Sequence, residues 1–156
     1  MLCTRTGILS RATEAYAIFR PARLVIPMLK AGVLNPALLS LLARIRHTNT
    51  LVISDRGFPF WPQVETVDLS LVDNIPTVLQ VLDAICANFV LGRVFAAEEF
   101  RTHNSAAAQQ ALTSRLGSIP LIFEPHPAFK LRVPLAIGLI RTGDTTPYAN
   151  LILESA

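Results

Sequence analysis

The chain has 156 residues, of which 51% are apolar and only 16% are charged, with a formal net charge of +3. This length favours one compact domain, and the charged fraction lies below the about 25% typical of soluble domains, so we expect a large core or extensive subunit contacts. The excess charge belongs to residues 1–27, since residues 28–156 carry ten basic and ten acidic residues. A neutral domain without a basic stripe or a long apolar run argues against nucleic acid or a membrane as partner.

The first 27 residues differ in composition from the rest of the chain. They are rich in arginine, carry several hydroxyl groups, mostly of threonine, and contain one acidic residue, a composition that resembles organellar transit peptides. The alternative, which we favour, is that Met28 is the true start and the leader is an artefact of start-site choice. We therefore expect an N-terminal extension over residues 1–27 and one folded domain over residues 28–156. The widely separated Cys3 and Cys86 favour a reduced, cytoplasmic protein.

Helix and strand patterns alternate from Met28 onward. Asn35 and Pro36 predict the start of the first helix, because asparagine caps helices and proline suits the first turn. Residues 50–54 form a short apolar run typical of a buried strand. The other predicted elements are strands over residues 64–69, 90–97, 121–123, 135–140 and 149–153, a helix opening at Pro76, and a helix over residues 105–116 with Asn104 as candidate cap.

The alternation predicts an α/β domain of three layers, in which one central, largely parallel or mixed sheet lies between two layers of helices. The sequence has no glycine-rich loop of the kinds that bind dinucleotides or nucleotide phosphates, so the usual nucleotide-binding folds have no support. It also lacks the spacing of a Cys/His zinc site. We therefore expect a domain that works without cofactor or metal.

Two polar residues flank the first predicted strand. Asp55 follows it, and ligands of α/β sheets gather beyond the carboxyl ends of strands. His47 precedes the strand, whose short length is expected to leave His47 close to Asp55. A histidine that titrates near neutral pH can both give and take a proton. The competing interpretation is that His47 complements the charge at the carboxyl end of the first helix.

Further polar residues come later in the chain. Residues 141–150 combine hydroxyls, an amide and a phenol, which suits a polyhydroxylated ligand, although composition alone favours a hydrogen-bonded turn. His126 lies between two prolines that restrict its backbone, but a lone loop histidine is more often a surface residue. His103 is expected to be solvated. Glu98 and Glu99, expected at the end of a strand, are interpreted as a solvated pair or an interface feature.

Several of these segments resemble the RbsD/FucU sugar mutarotase family, and within it the D-ribose pyranase branch. The segment Pro147-Tyr148-Ala149-Asn150 resembles the carboxyl-terminal motif of that branch, and His126 lies at the family's spacing before the tyrosine. The similar segments are residues 28–36, 47–48, 52–59, 67–71 with 75–76, and 140–150. The departures from the family pattern are Arg46, Asn49, Arg56 and the bulky residues 60–62.

The resemblance implies an RbsD-like fold and an isomerase that interconverts the pyranose and furanose forms of D-ribose by acid/base ring opening and closure. The alternatives are a mutarotase for another sugar, such as L-fucose, and a non-catalytic sugar-binding or regulatory protein. The site that the resemblance implies consists of His47 as proton donor and acceptor, Asp55 and His126 as sugar ligands, and Tyr148, Ala149 and Asn150 as the segment that recognises hydroxyls.

The family resemblance also implies a ring-shaped homo-oligomer with sites at subunit contacts, which would account for the low charged fraction. Closed rings need heterologous contacts, in which one patch meets a different patch on the next subunit. The apolar residues Leu151, Ile152 and Leu153 are our candidate contact, because an unpaired apolar edge strand invites association. A charged residue at position 152 is therefore expected to weaken assembly.

Overall fold

The computed structural model describes residues 32–156, so the N-terminal extension lies outside the described residues. The elements in chain order are α1 (Pro36–Leu42), β1 (Thr50–Ser54), β2 (Thr66–Asp68), α2 (Val78–Cys86), β3 (Leu91–Ala97), α3 (Glu98–His103), α4 (Ala106–Leu116), β4 (Leu121–Glu124), α5 (His126–Arg132), a 3₁₀ turn (Val133–Leu135), β5 (Gly138–Arg141) and β6 (Leu151–Ser155). Helix α1 begins as predicted: the Asn35 Oδ1 accepts a hydrogen bond from the Leu38 N–H at 3.0 Å.

Within residues 32–156, six strands form one mixed sheet in the order β2-β5-β1-β6-β3-β4. Strand β5 pairs in parallel with β1 and β2, and β3 pairs in parallel with β4. Strand β6 lies antiparallel between β1 and β3 and joins the two parallel groups. This arrangement confirms the predicted mixed sheet.

Both faces of the sheet are covered, which confirms the three layers. Leu51 and Ile53 of β1 pack on one face with apolar residues of α1, α2 and α4. Val52 points to the other face, where it packs with Phe129 of α5 and Val133 of the 3₁₀ turn. This division follows from the two-residue period of a strand, which sends successive side chains to opposite faces.

The position of β6 contradicts one sequence prediction. Leu151, Ile152 and Leu153 are 2%, 0% and 1% exposed, and both edges of their strand are paired. A strand in the centre of a sheet has no free edge to offer a second subunit, so the prediction that these residues form a subunit contact is wrong. A charge at position 152 would instead enter the domain core, where an unpaired charge is strongly destabilising.

The segments that follow β3 and β4 also differ from the prediction. Glu98 and Glu99 begin helix α3 rather than ending a strand. His126 begins α5, with Pro127 in its first turn, where a missing N–H costs nothing. Farther along, Pro134 lies in a 3₁₀ turn, and β5 begins only at Gly138. Leu135 still belongs to that turn, so the strand predicted over residues 135–140 begins three residues later than expected.

Helices α4 and α2 are both capped by hydroxyl side chains. Helix α4 is capped by Ser105, whose Oγ accepts a hydrogen bond from the Ala108 N–H at 3.2 Å, and not by Asn104 as predicted. Helix α2 begins after Thr77, which forms a capping box with Gln80. Across the described residues, no helix is long and apolar enough to cross a membrane.

Candidate active site

The sheet topology brings four polar residues to one edge. Strands β1 and β6 are antiparallel neighbours, so the carboxyl end of β1 meets the amino end of β6. Asp55 directly follows β1, and Asn150 directly precedes β6. Strands β3 and β4 run in the direction of β1, so Glu99 and His126 follow them at the same edge. This is the edge at which α/β sheets bind ligands.

Asp55 and Asn150 hold each other by two hydrogen bonds. The Asp55 backbone N–H donates to the Asn150 Oδ1 at 2.9 Å, and the Asn150 Nδ2 donates to the Asp55 Oδ2 at 2.8 Å. The second carboxylate oxygen, Oδ1, accepts from the Gly57 N–H at 2.9 Å. Burial raises the pKa of Asp55, while the amide donors of Asn150 and Gly57 act in the opposite direction. The result is a half-buried carboxylate in a fixed orientation.

The loop before Tyr148 is held by Asp144. This buried carboxylate accepts hydrogen bonds from the backbone N–H groups of Val78 and Thr146, both at 2.8 Å. Gly143 allows this loop to pass close to the backbone of Val72, because a Cβ at position 143 would lie 2.2 Å from the Val72 oxygen. This part of the polar segment is therefore the hydrogen-bonded turn that its composition favours, and it carries the sugar-contact candidates.

His126 reaches the site from the amino end of α5. Its backbone N–H donates to the Glu99 carboxylate, at 3.2 Å from Oε1 and 3.0 Å from Oε2. The imidazole Nε2 is buried and has no hydrogen-bond partner among residues 32–156. Burial lowers the pKa of His126, and the positive charge of Lys130 adds to this effect. The imidazole therefore retains one nitrogen whose hydrogen-bonding capacity residues 32–156 do not use.

Tyr148 lies between two histidines. Its ring packs edge-on against His126, with 5.0 Å between ring centroids, and at 4.8 Å from the ring of His103. The backbone of Tyr148 has φ 56°, in the left-handed region, and the preceding Pro147 oxygen accepts a hydrogen bond from the Asn104 Nδ2 at 2.8 Å. These contacts fix the position of the Tyr148 ring, and the next residue, Ala149, is buried.

A cavity of about 340 Å³ opens beside these side chains, within the size range of small-molecule sites. Its polar lining residues include Asp55, His126, Lys130, Tyr148 and Asn150. Its apolar lining includes the rings of Phe58, Pro59 and Pro147. Such a mixture suits a sugar, which presents hydroxyls at its rim and C–H groups on its faces. Among the described residues, no three His, Cys, Asp or Glu side chains gather as metal ligands.

His47 lies at the opposite edge of the sheet. It precedes β1, and the adjacent Thr48 N–H donates to the oxygen of Ser155, the last residue of β6, at 3.2 Å. Residues 48–54 separate His47 from Asp55, and the five of them that form β1 span about 17 Å at the rise of an extended strand. The expectation that the two residues lie close together within one chain is therefore wrong, because β1 runs straight between them.

The turn that holds His47 is nevertheless well defined. The Arg46 N–H donates to the Asn49 Oδ1 at 2.8 Å, and the Asn49 N–H donates back to the Arg46 oxygen at 2.9 Å. The His47 side chain is exposed beside Phe89 and Val90. Arg46 and Asn49, two of the departures from the family pattern, thus close the turn and present His47 to the outside. Helix α1 ends at Leu42, too early for His47 to complement its charge.

The third departure, Arg56, lies on the rim of the cavity. Its guanidinium forms an ion pair with Asp73, with Nη1 to Oδ1 at 2.5 Å, and its backbone N–H donates to the oxygen of Asp144 at 3.0 Å. The side chain is therefore turned toward the loop of residues 71–75, and the carboxylate of Asp55 stays open to the cavity.

Sequence reasoning missed three residues of the site: Glu99, His103 and Lys130. Lys130 shares a helix face with His126 four residues earlier, a spacing that would have been visible had α5 been predicted. Glu99 and His103 also lie four residues apart, on α3, and both face the site. The interpretation of His103 as merely solvated is incomplete, because its exposed ring packs on Tyr148.

Comparisons of the chain with known proteins show its family. A family model described as the RbsD / FucU transport protein family matches residues 28–156. A D-ribose pyranase from Chromobacterium violaceum is 44% identical over 128 residues, covering 82% of this chain and 97% of that relative. One from Geobacillus kaustophilus is 41% identical over 128 residues, covering 82% and 93%.

The same relationship is visible in three dimensions. The structure of Bacillus subtilis RbsD complexed with D-ribose matches with a TM-score of 0.77 and 34% sequence identity, covering 83% of this chain and 98% of that chain. Sequence and fold thus agree over nearly the full length of these relatives. The chain therefore belongs to the RbsD/FucU family, as its motifs predict.

Proposed function

We propose that this protein is a D-ribose pyranase, an isomerase that interconverts the pyranose and furanose forms of D-ribose without a cofactor. The observation that carries the proposal is the cluster of Asp55, His126, Tyr148 and Asn150 around a cavity of about 340 Å³. Relatives named D-ribose pyranase, 41–44% identical, support the same activity. We also propose a cytoplasmic location, as the separated thiols suggest.

The reaction needs only positioned acids and bases. Opening the sugar ring delivers a proton to the ring oxygen and removes one from the anomeric hydroxyl. Closure through a different hydroxyl then changes the ring size, so no proton is gained or lost overall. Asp55 and the Nε2 of His126 are suited to hold sugar hydroxyls, because the first is a fixed acceptor and the second a buried group without a partner among the described residues. Tyr148 and Asn150 complete the hydroxyl recognition.

We further propose that His47, the proton donor and acceptor, serves the site of a neighbouring subunit in a ring-shaped homo-oligomer. His47 is exposed at one edge of the sheet, and the cavity opens at the other. Apolar side chains are exposed at both edges: Val90 by 75% beside His47, and Phe60 by 78% directly after the cavity residue Pro59. Joining one edge to the other between copies is a heterologous contact, the kind that closes rings.

Saturation-transfer NMR on D-ribose tests the activity, since it measures exchange between ring forms directly. The wild-type protein should accelerate exchange, and His47→Ala should lose about 10²–10⁴-fold, as a positioned acid/base contributes. Exchange of L-fucose but not ribose would indicate a mutarotase for another sugar. Ribose binding without exchange would instead identify a sugar-binding module and refute the proposal.

Mixed oligomers test the shared site. His47→Ala and Asp55→Ala should each be inactive alone, but co-refolding them in equal amounts should restore about one quarter of the sites, where both intact residues meet across a contact. His47→Ala refolded with wild type provides the matched control. The shared site would be contradicted if the mixture recovers no exchange activity, or if light scattering shows a monomer that is fully active. Neither result would decide whether the protein is a pyranase, which the NMR experiment on the wild type tests.

A further inference from the structure

We propose that Glu99 is a positioning residue for His126: its carboxylate fixes the backbone of His126 and so the direction of the imidazole in the cavity. The inference rests on the proposed function of the same site and adds a residue to it. Glu99 does not line the cavity. It acts through His126, whose N–H it binds across 27 residues of sequence.

The hydrogen bond from His126 to Glu99 satisfies a backbone N–H at the start of α5. The first N–H groups of a helix have no partner within the helix, and Pro125, at the cap position, provides no side-chain hydrogen bond. Proline on both sides of His126 also leaves its N–H as the only backbone donor of this stretch. The two carboxylate oxygens of Glu99 accept that N–H, so the hydrogen bond links the segment after β4 to the first turn of α3.

The charge of Glu99 also acts on the imidazole. The charged and titratable groups that face His126 are Lys130 on its own helix, Glu99 on α3, Asp55 after β1 and the phenol of Tyr148. Burial and Lys130 lower the pKa of His126, whereas Glu99 and Asp55 raise it. Removal of the Glu99 charge should therefore lower the pKa of His126 further.

The neighbouring acid provides a matched control. Glu98 is exposed, belongs to the same first turn of α3, and has the same charge. Glu99→Ala should slow ribose exchange by about ten- to hundredfold, the cost of displacing a positioned group, while Glu98→Ala stays near wild type. Glu99→Gln should recover most of the loss, because its side-chain carbonyl still accepts the His126 N–H.

A readout independent of activity separates this inference from the proposed function. NMR titration of the His126 imidazole in the full chain should show a lower pKa in Glu99→Gln than in Glu98→Gln, whether or not the protein turns over ribose. Equal titration of His126 in the two variants would show that the Glu99 carboxylate does not lie against His126, and would overturn the inference. So would equal exchange rates for Glu99→Ala and Glu98→Ala, or a Glu99→Gln variant as slow as Glu99→Ala. If Glu99→Ala does not fold, the two glutamine variants decide.

Discussion

Replacing Asn150 by alanine should destabilise the domain by roughly 2–3 kcal/mol. The residue is 2% exposed and makes two hydrogen bonds with Asp55, one of them to the carboxylate. A hydrogen bond to a charged group contributes about 1.5 kcal/mol at the lower end of its range, which is appropriate for a half-buried carboxylate, and a neutral one contributes about 1 kcal/mol. At about 4 °C per kcal/mol for a domain of this size, the melting temperature should fall by roughly 8–12 °C.

The loss should depend on pH. The Asn150 amide lowers the pKa of Asp55 against the effect of burial, so its removal raises that pKa further above the unfolded value. An acid with a raised folded pKa costs stability as the pH rises through that pKa. The difference between wild type and Asn150→Ala should therefore be smallest near about pH 4 and increase toward neutral pH.

Thermal and urea unfolding at several pH values provide the measurement. Asn88→Ala is the matched control, because Asn88 is an exposed asparagine in the turn after α2, and its Nδ2 donates to the oxygen of Ala84 in that helix. If Asn150→Ala costs no more than Asn88→Ala, or if its cost does not change with pH, the argument that Asn150 holds a buried carboxylate is refuted.

Other expected outcomes concern the loop before Tyr148 and the leader. Gly143→Ala should lower the free energy of unfolding, measured with urea, by more than about 2 kcal/mol, because its Cβ would meet the oxygens of Val72 and Ile75 at 2.2 and 2.7 Å. Gly117→Ala is the control: its Cβ would have no atom within 4 Å, but its φ is 55°, so it measures backbone strain without steric clash. A chain that begins at Met28 should be soluble, folded and fully active in ribose exchange, since the family match starts there; its loss of activity would show that residues 1–27 contribute to the structure.

The sequence predicted most elements whose signals are local. The cap at Asn35 and the bounds of β1 are confirmed, because side-chain capping and a short apolar run depend on neighbouring residues alone. Helix α3 escaped prediction because it begins immediately at the end of β3, without a capping side chain. Helix α5 escaped prediction because it has only seven residues, begins between two prolines, and buries only Phe129, so its sequence carries little helical periodicity.

The arrangement of the site was only partly predictable. The motif resemblance identified Asp55, His126, Tyr148 and Asn150, and the structure brings these four together. The separation of His47 from them depends on the direction of β1, which places the residues before and after it at opposite edges. The error about Ile152 has the same origin, since strand order is decided by long-range pairing that a run of apolar residues does not encode.

The central place of β6 also bears on how the chain folds as it leaves the ribosome. Strand β6 is the last element in chain order within residues 32–156, yet it alone joins the β2-β5-β1 group to the β3-β4 group. At about 5–20 residues per second, the 97 residues from Ser54 to Leu151 take roughly 5–20 s to synthesise. During that interval the edge of β1 that β6 will pair with stays open, and the corresponding edge of β3 is open from the synthesis of Ala97 onward. Such unpaired edges are templates for aggregation. The cavity, whose lining residue Asn150 directly precedes β6, can form only after residues 150–155 have been made, so chaperone dependence should be concentrated in the interval before that point.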